Sequence, residues 1–141
     1  MRADFCKSAV MLRLFLLALA VCVSPLHADE PMSGEEFDAY TSGRVLFYGQ
    51  DGRSYGAERY LPGRRVEWSF LDGECKQGRW YEEGRNICFV YEDEPEAHCW
   101  RFFRGPEGLV ASFQDGSGAS PLYEARDLGD ELLCKGPRIG V

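Results

Sequence analysis

From Arg44 onward the chain is punctuated at nearly even intervals. Asp51-Gly52, Pro62-Gly63, Asp72-Gly73, Glu83-Gly84, Glu94-Pro95, the Gly105–Gly108 segment and Asp115-Gly116 recur every 9 to 12 residues. The runs between them are short and rich in Val, Ile, Phe, Tyr and Trp. Such a rhythm leaves room for strands and tight turns but not for amphipathic helices, and it predicts an all-β antiparallel meander, closed as a barrel or packed as a sandwich. The expected strands are 44–49, 56–61, 64–71, 75–82, 86–92, 97–104, 108–114 and 120–126, with 131–135 as a further candidate. Successive hairpins are the simplest topology, because parallel pairs would need long crossovers.

Alternation within the runs assigns faces. Val66, Trp68 and Phe70 share one side of their strand, opposite Arg65, Glu67 and Ser69. Ile87, Phe89 and Tyr91 likewise oppose Asn86, Cys88 and Val90. A symmetric turn at 92–95 sets Tyr91 across from Glu96, Phe89 across from His98 and Cys88 across from Cys99. Directly opposed strand positions lie close to the separation a disulfide requires. The expected pairing is therefore Cys88–Cys99 with Cys75–Cys134, and the alternative is Cys75–Cys88 with Cys99–Cys134. Spacings of 13, 11 and 35 residues offer no close Cys pairs of the kind zinc uses.

An oxidising compartment follows from the N-terminus as well. Arg2, Lys7 and Arg13 precede an apolar run, Leu14 to Val23, which Pro25 breaks ahead of Leu26-His27-Ala28. This reads as a signal peptide over residues 1–28, cleaved after Ala28, with Met11 as an alternative start. The apolar run is about half the roughly 20 residues of a spanning helix. Val21 stands where lipoprotein boxes carry Gly, Ala or Ser, which argues against lipid anchoring at Cys22. The expected product is a periplasmic protein with a short acidic N-terminal helix in 29–43 and a disulfide-stapled β-domain over 44–141. Ser33 and Glu36 have the spacing of a capping box, Phe37 and Tyr40 form a short apolar stripe, and Gly43 is placed to end the helix. Such a helix suits a lid or plug against a sheet.

Charge narrows the partners. Residues 29–141 carry 13 Lys and Arg against 22 Asp and Glu, a balance of −9. That is a poor match for nucleic acid or anionic membrane and suits a basic protein partner. The arginines between the aromatics, including Arg59, Arg64, Arg65, Arg79, Arg101 and Arg104, are expected to face outward and pair with Glu58, Glu67 and Glu82.

Several chemistries lack their residues. Once His27 leaves with the signal, His98 is the sole histidine, and it sits beside a cysteine expected to be oxidised. There is no phosphate-cradling glycine loop. Glu82-Glu83 and Glu92-Asp93-Glu94 fall at turns, where solvated charge is the default, and the 92–96 cluster lacks the spaced pattern of a calcium loop. The expectation is a non-enzymatic protein with no cofactor and no metal site. The aromatic load of the middle strands leaves two readings of the interior. The rings either fill it as plain core, or line a cup for a small apolar ligand with Trp68, Trp80, Phe89, Tyr91, Trp100 and Phe102 as its walls.

The pattern Gly78-Arg79-Trp80, Ile87-Cys88-Phe89-Val90-Tyr91-Glu92 and Cys99-Trp100 resembles a group of uncharacterised small exported alphaproteobacterial proteins, in which a Gly-x-Trp strand precedes a Cys-Phe…Cys-Trp hairpin. The likeness covers about residues 31–114. It implies a periplasmic, lipocalin-like barrel of about eight strands and carries no catalytic residues with it. Ser117-Gly118-Ala119 followed by Tyr123 is similar, more loosely, to a loop of periplasmic lysozyme inhibitors. Two functions follow as expectations: a binding or envelope-accessory domain for a small apolar ligand or a basic envelope or host protein, and alternatively a proteinaceous inhibitor of a lysozyme or secreted protease.

Overall fold

A computed structural model describes residues 30–126 and 131–135. The expected signal segment, its cleavage point and Cys22 lie outside the described residues. One helix, α1 (Gly34–Thr41), precedes eight strands: β1 (Val45–Gln50), β2 (Arg53–Leu61), β3 (Arg65–Ser69), β4 (Lys76–Glu83), β5 (Asn86–Tyr91), β6 (Glu94–Gly105), β7 (Gly108–Phe113) and β8 (Leu122–Ala125). Each strand pairs antiparallel with the next, and β8 returns to β1 with Tyr48 opposite Glu124, so the sheet closes into an up-and-down barrel. Closure removes both sheet edges, and with them the unpaired backbone groups that would invite aggregation.

The helix starts where its capping box directs. The Glu36 N–H donates to Ser33 Oγ and the Ser33 N–H to Glu36 Oε2, satisfying two otherwise orphaned donors. Gly43, at φ 77°, ends it. Eight residues are too few for a helix to persist alone, and packing supplies the rest. Phe37 is fully buried with its ring centroid 5.1 Å from Trp80, 4.5 Å from Phe102, 5.6 Å from Tyr60 and 6.3 Å from Phe89. The Met32 N–H donates to the Phe102 carbonyl at 2.7 Å and ties the entry strap to β6. Tyr40 lies between two guanidinium groups, with Arg44 and Arg104 each 4.5 Å from its ring centre. The helix is thus a plug at the barrel end that carries the 62–64, 84–85 and 106–107 turns.

Both disulfides of the first-choice pairing are present. Cys88–Cys99 joins directly opposed residues of β5 and β6, with Phe89 opposite His98 beside it. Cys75–Cys134 spans 59 residues and fastens the C-terminal segment to the outside of the barrel. On a chain-entropy account the two crosslinks stabilise by about 3 and about 4 kcal/mol respectively. The fastened segment, residues 131–135, is an extended strap rather than a ninth strand. Leu132 packs over Phe47 and Ala57 on the outer face, its carbonyl accepts from Arg59 at 2.6 Å, and the Lys135 N–H donates to the Gly73 carbonyl.

One register differs from expectation. Tyr91 stands opposite Glu94, not Glu96, because β6 begins at Glu94 after a two-residue turn and the ladder shifts between Phe89 and Tyr91. Between the Phe89–His98 and Tyr91–Glu94 pairs β6 carries two more residues than β5, a bulge-like irregularity that increases local twist.

If the plug closes the barrel as its packing indicates, Phe37→Ala lowers unfolding stability by about 3–5 kcal/mol. Urea unfolding followed by tryptophan fluorescence measures it; a loss below about 1 kcal/mol would mean the helix merely rests on the barrel.

Candidate functional site

With one end plugged, the interior is divided. Leu46, Tyr60, Val66, Trp80, Ile87, Phe102 and Leu109 pack with Phe37 as a solid core at the helix end. Towards the other end, where the 51–52, 70–75, 92–93 and 114–121 turns lie, the barrel holds a cavity of about 740 Å³. That volume is in the range of small-molecule sites. The interior is therefore neither wholly filled nor wholly hollow.

Of the six residues expected to wall a cup, Trp68, Phe89, Tyr91, Trp100 and Phe102 line this cavity. Trp80 does not; it lies lower, with its ring edge-on to Phe37 and Arg64 stacked 4.5 Å over it. Tyr48, Tyr55, Phe70 and Phe113 join the walls. Tyr55, Trp68 and Phe70 form an aromatic lip with centroid separations of 5.3–5.9 Å, and Phe70 is 53 % exposed there. Tyr81, on the outer face of β4, is exposed instead.

Two glycines make the wall possible. A Cβ on Gly56 would stand 2.2 Å from the Trp68 ring, and one on Gly78 would stand 2.7 Å from the Tyr91 ring. Each glycine lets an aromatic side chain on the adjoining strand lie flat against backbone, which spends no cavity space on a second side chain.

The most buried polar groups of the cavity are the Tyr48 and Tyr60 phenols and the Glu58 carboxyl. Tyr48 and Tyr60 share a hydrogen bond between hydroxyls, 2.8 Å apart and buried. Burial pushes both phenols up, so they stay neutral at any physiological pH. Glu58, only 2 % exposed, sits on the same inward face of β2 as Tyr60. Tyr91 donates to its Oε2 at 2.9 Å, and its Oε1 has no hydrogen-bond partner among the described residues. Desolvation drives the Glu58 carboxyl well above its usual range; the Tyr91 bond pulls it back, and the charge of Glu67 across the wall adds to the rise.

Glu58 therefore corrects a sequence expectation. It does not pair with an outward arginine; of the three glutamates assigned to that role, only Glu67 holds one among the described residues, and its partner is Arg59. Strict alternation explains it. Tyr60 must point inward, so Glu58 and Gly56 do as well, while Ala57 and Arg59 take the outer face. The signal was the Gly-x-Glu-x-Tyr spacing, hidden by the habit of placing carboxylates outside.

The other buried carboxylate is a contrast. Glu124, at the helix end, accepts from the Tyr40 hydroxyl at 2.6 Å, the Leu109 N–H at 3.0 Å and Arg44 at 3.3 Å. It is a saturated structural brace. Glu58 is half satisfied.

At the open end the lining is acidic. Glu94, Glu96 and Asp115 face Lys76, which is already paired with Asp93 at 2.8 Å, and His98, whose Nε2 lies 3.2 Å from Glu94. The Ser117 N–H and hydroxyl contacts hold Asp115 below its usual range and so keep it charged. The only clusters of possible metal ligands among the described residues place a glutamate beside disulfide sulfurs, which are poor ligands. Comparison with family models, with curated proteins and with solved structures finds no match.

The Glu58 environment has a signed consequence. Between the ordinary carboxylate range and the raised native value, the folded protein binds a proton that the unfolded chain does not. Stability is therefore lost as pH rises through that window. Glu58→Gln keeps an acceptor for Tyr91 and removes the titration. The melting-temperature advantage of Glu58→Gln over the parent should be near zero at about pH 4 and grow steadily towards about pH 8. A difference independent of pH would contradict the assignment.

Proposed function

We propose that this chain is an exported, non-catalytic binding protein whose barrel is a cup for a small organic ligand. The observation that carries the reading is the cavity itself: about 740 Å³, open opposite the helix plug, walled by aromatic rings and holding one half-satisfied buried carboxyl. Barrels built only as structural units fill their interiors, and an interior left open costs contacts that packing would otherwise gain.

The polar inventory supports a binding role over a catalytic one. No serine or cysteine is hydrogen-bonded to His98 among the described residues, and His98 is engaged by Glu94 at the mouth. Both cysteine pairs are oxidised. These disulfides accord with an oxidising compartment outside the cytosol. The periplasm is the compartment proposed, on the strength of the signal-like N-terminus and the resemblance to small exported alphaproteobacterial barrels. No helix among the described residues is long and apolar enough to cross a membrane.

Native mass spectrometry of protein isolated from its own envelope tests the reading, alongside an environment-sensitive apolar dye. The proposal expects a bound species lost on denaturation and saturable dye fluorescence that Trp68→Ala weakens at least about tenfold. Protein that is ligand-free and shows no saturable dye binding would sink the cup.

A further inference from the structure

We infer that the ligand carries a protonated amine on an apolar, aromatic-sized body, and that the ammonium pairs with the Glu58 carboxyl at the cup wall, a turn of the side chain bringing Oε1, closed to water in the free protein, to the cavity surface. The inference rests on the cup reading and names the chemistry of its occupant.

Three independent observations converge on a cation with N–H donors. The first is the orphaned oxygen. A carboxyl buried to this degree is expected to have its lone pairs satisfied, and an unmet one costs about 1–3 kcal/mol. Tyr91 fixes Oε2, whereas Oε1 has no donor among the described residues, and the residue lies in the cavity wall. Glu124 shows that the same barrel can brace a buried carboxylate with three donors where the role is structural. The second is the sign of the lining. Glu94, Glu96 and Asp115 outnumber Lys76 at the mouth, and Lys76 is held by Asp93 at the rim. An anionic mouth over a low-dielectric interior concentrates cations and repels carboxylates and phosphates. The third is the wall. Trp68, Tyr91, Trp100 and Tyr48 line the cavity, and aromatic rings attract an ammonium and accommodate an apolar body.

The proton inventory gives the contact a signature. The groups facing Glu58 within the cup are the Tyr48, Tyr60 and Tyr91 phenols, with Lys76, Glu94, Glu96, His98 and Asp115 higher up and Glu67 across the wall. Burial favours the protonated carboxyl in the free protein. An incoming ammonium favours the carboxylate, so docking expels the Glu58 proton to solvent. No bond is made or broken beyond that O–H.

The test uses three probes that share an indole ring and differ in the head group: tryptamine, indole-3-ethanol and indole-3-propionate. Calorimetry of the disulfide-intact protein at neutral pH is run in two buffers of different ionisation enthalpy. Tryptamine should bind at least about tenfold more tightly than the alcohol, and the carboxylate more weakly still. Binding of tryptamine should release protons to buffer. Glu58→Gln, expected to be no less stable than the parent, should bring tryptamine to within about twofold of the alcohol and abolish the proton release. The preference should persist at about 0.5 M NaCl, because a desolvated contact is screened far less than the rim charges. The inference is overturned, with the cup intact, if the alcohol or the carboxylate binds as well as tryptamine. It is also overturned if Glu58→Gln keeps the preference, or if salt abolishes it. Failure of all three probes to bind would overturn the inference, and the native-mass and dye measurements then decide whether the cup reading survives it.

Discussion

Phe37 is the contact on which the interior depends. An eight-stranded barrel has just enough room to be filled by its own side chains or to hold one small molecule. Here a two-turn helix pushes a single ring among Tyr60, Trp80, Phe89 and Phe102, and that end becomes solid. The inward residues at the other end have no such partner among the described residues. They line a space instead, and the asymmetry of one plug in a two-ended barrel is what produces a cup. The disulfides have a different task. Cys88–Cys99 fixes the register of the hairpin whose inward rings form one wall, and Cys75–Cys134 straps the tail outside.

Much of this was written plainly in the chain. Evenly spaced turns gave the strand count to within one, since turn chemistry is local and does not depend on tertiary context. The cysteine pairing could be inferred because opposed strand positions fix distances. Ser33 and Glu36 announced the helix, and Phe37 its buried side. Five of the six proposed wall residues do line the cavity, because alternation inside a strand is enforced by backbone geometry. Trp80 was misplaced for the opposite reason: alternation tells the face of a residue but not its height along the barrel axis. Height depends on where the plug stops, which is a long-range matter. The Tyr91 partner shifted because a bulge leaves no composition signal at 89–91.

Glu58 was the largest miss, and its cause is instructive. Composition rules place glutamate outside, and burial of an unpaired carboxyl opposes folding. Alternation from Tyr60 demanded the inside, and the backbone wins because a one-residue slip would turn Tyr60 outward and Arg59 inward. When a local rule is broken at such a cost, function is the usual compensation. Glu124, equally interior but braced by Tyr40, Arg44 and the Leu109 amide, shows that this barrel has the means to satisfy a carboxylate. At Glu58 it leaves one buried oxygen without a partner among the described residues, on a side chain that lines an aromatic cavity with an acidic mouth.

The character of the cup is set by the state of one carboxyl, which can be observed directly. A ¹³C-detected NMR titration of the Glu58 side-chain carboxyl in the ligand-free protein reads its protonation alone, separate from every other acid in the chain. The expected midpoint lies well above the ordinary glutamate range and falls when tryptamine is added. A midpoint at or below the ordinary range would place Glu58 in water or in a satisfied ion pair, and would contradict the buried, half-satisfied carboxyl at the centre of this reading.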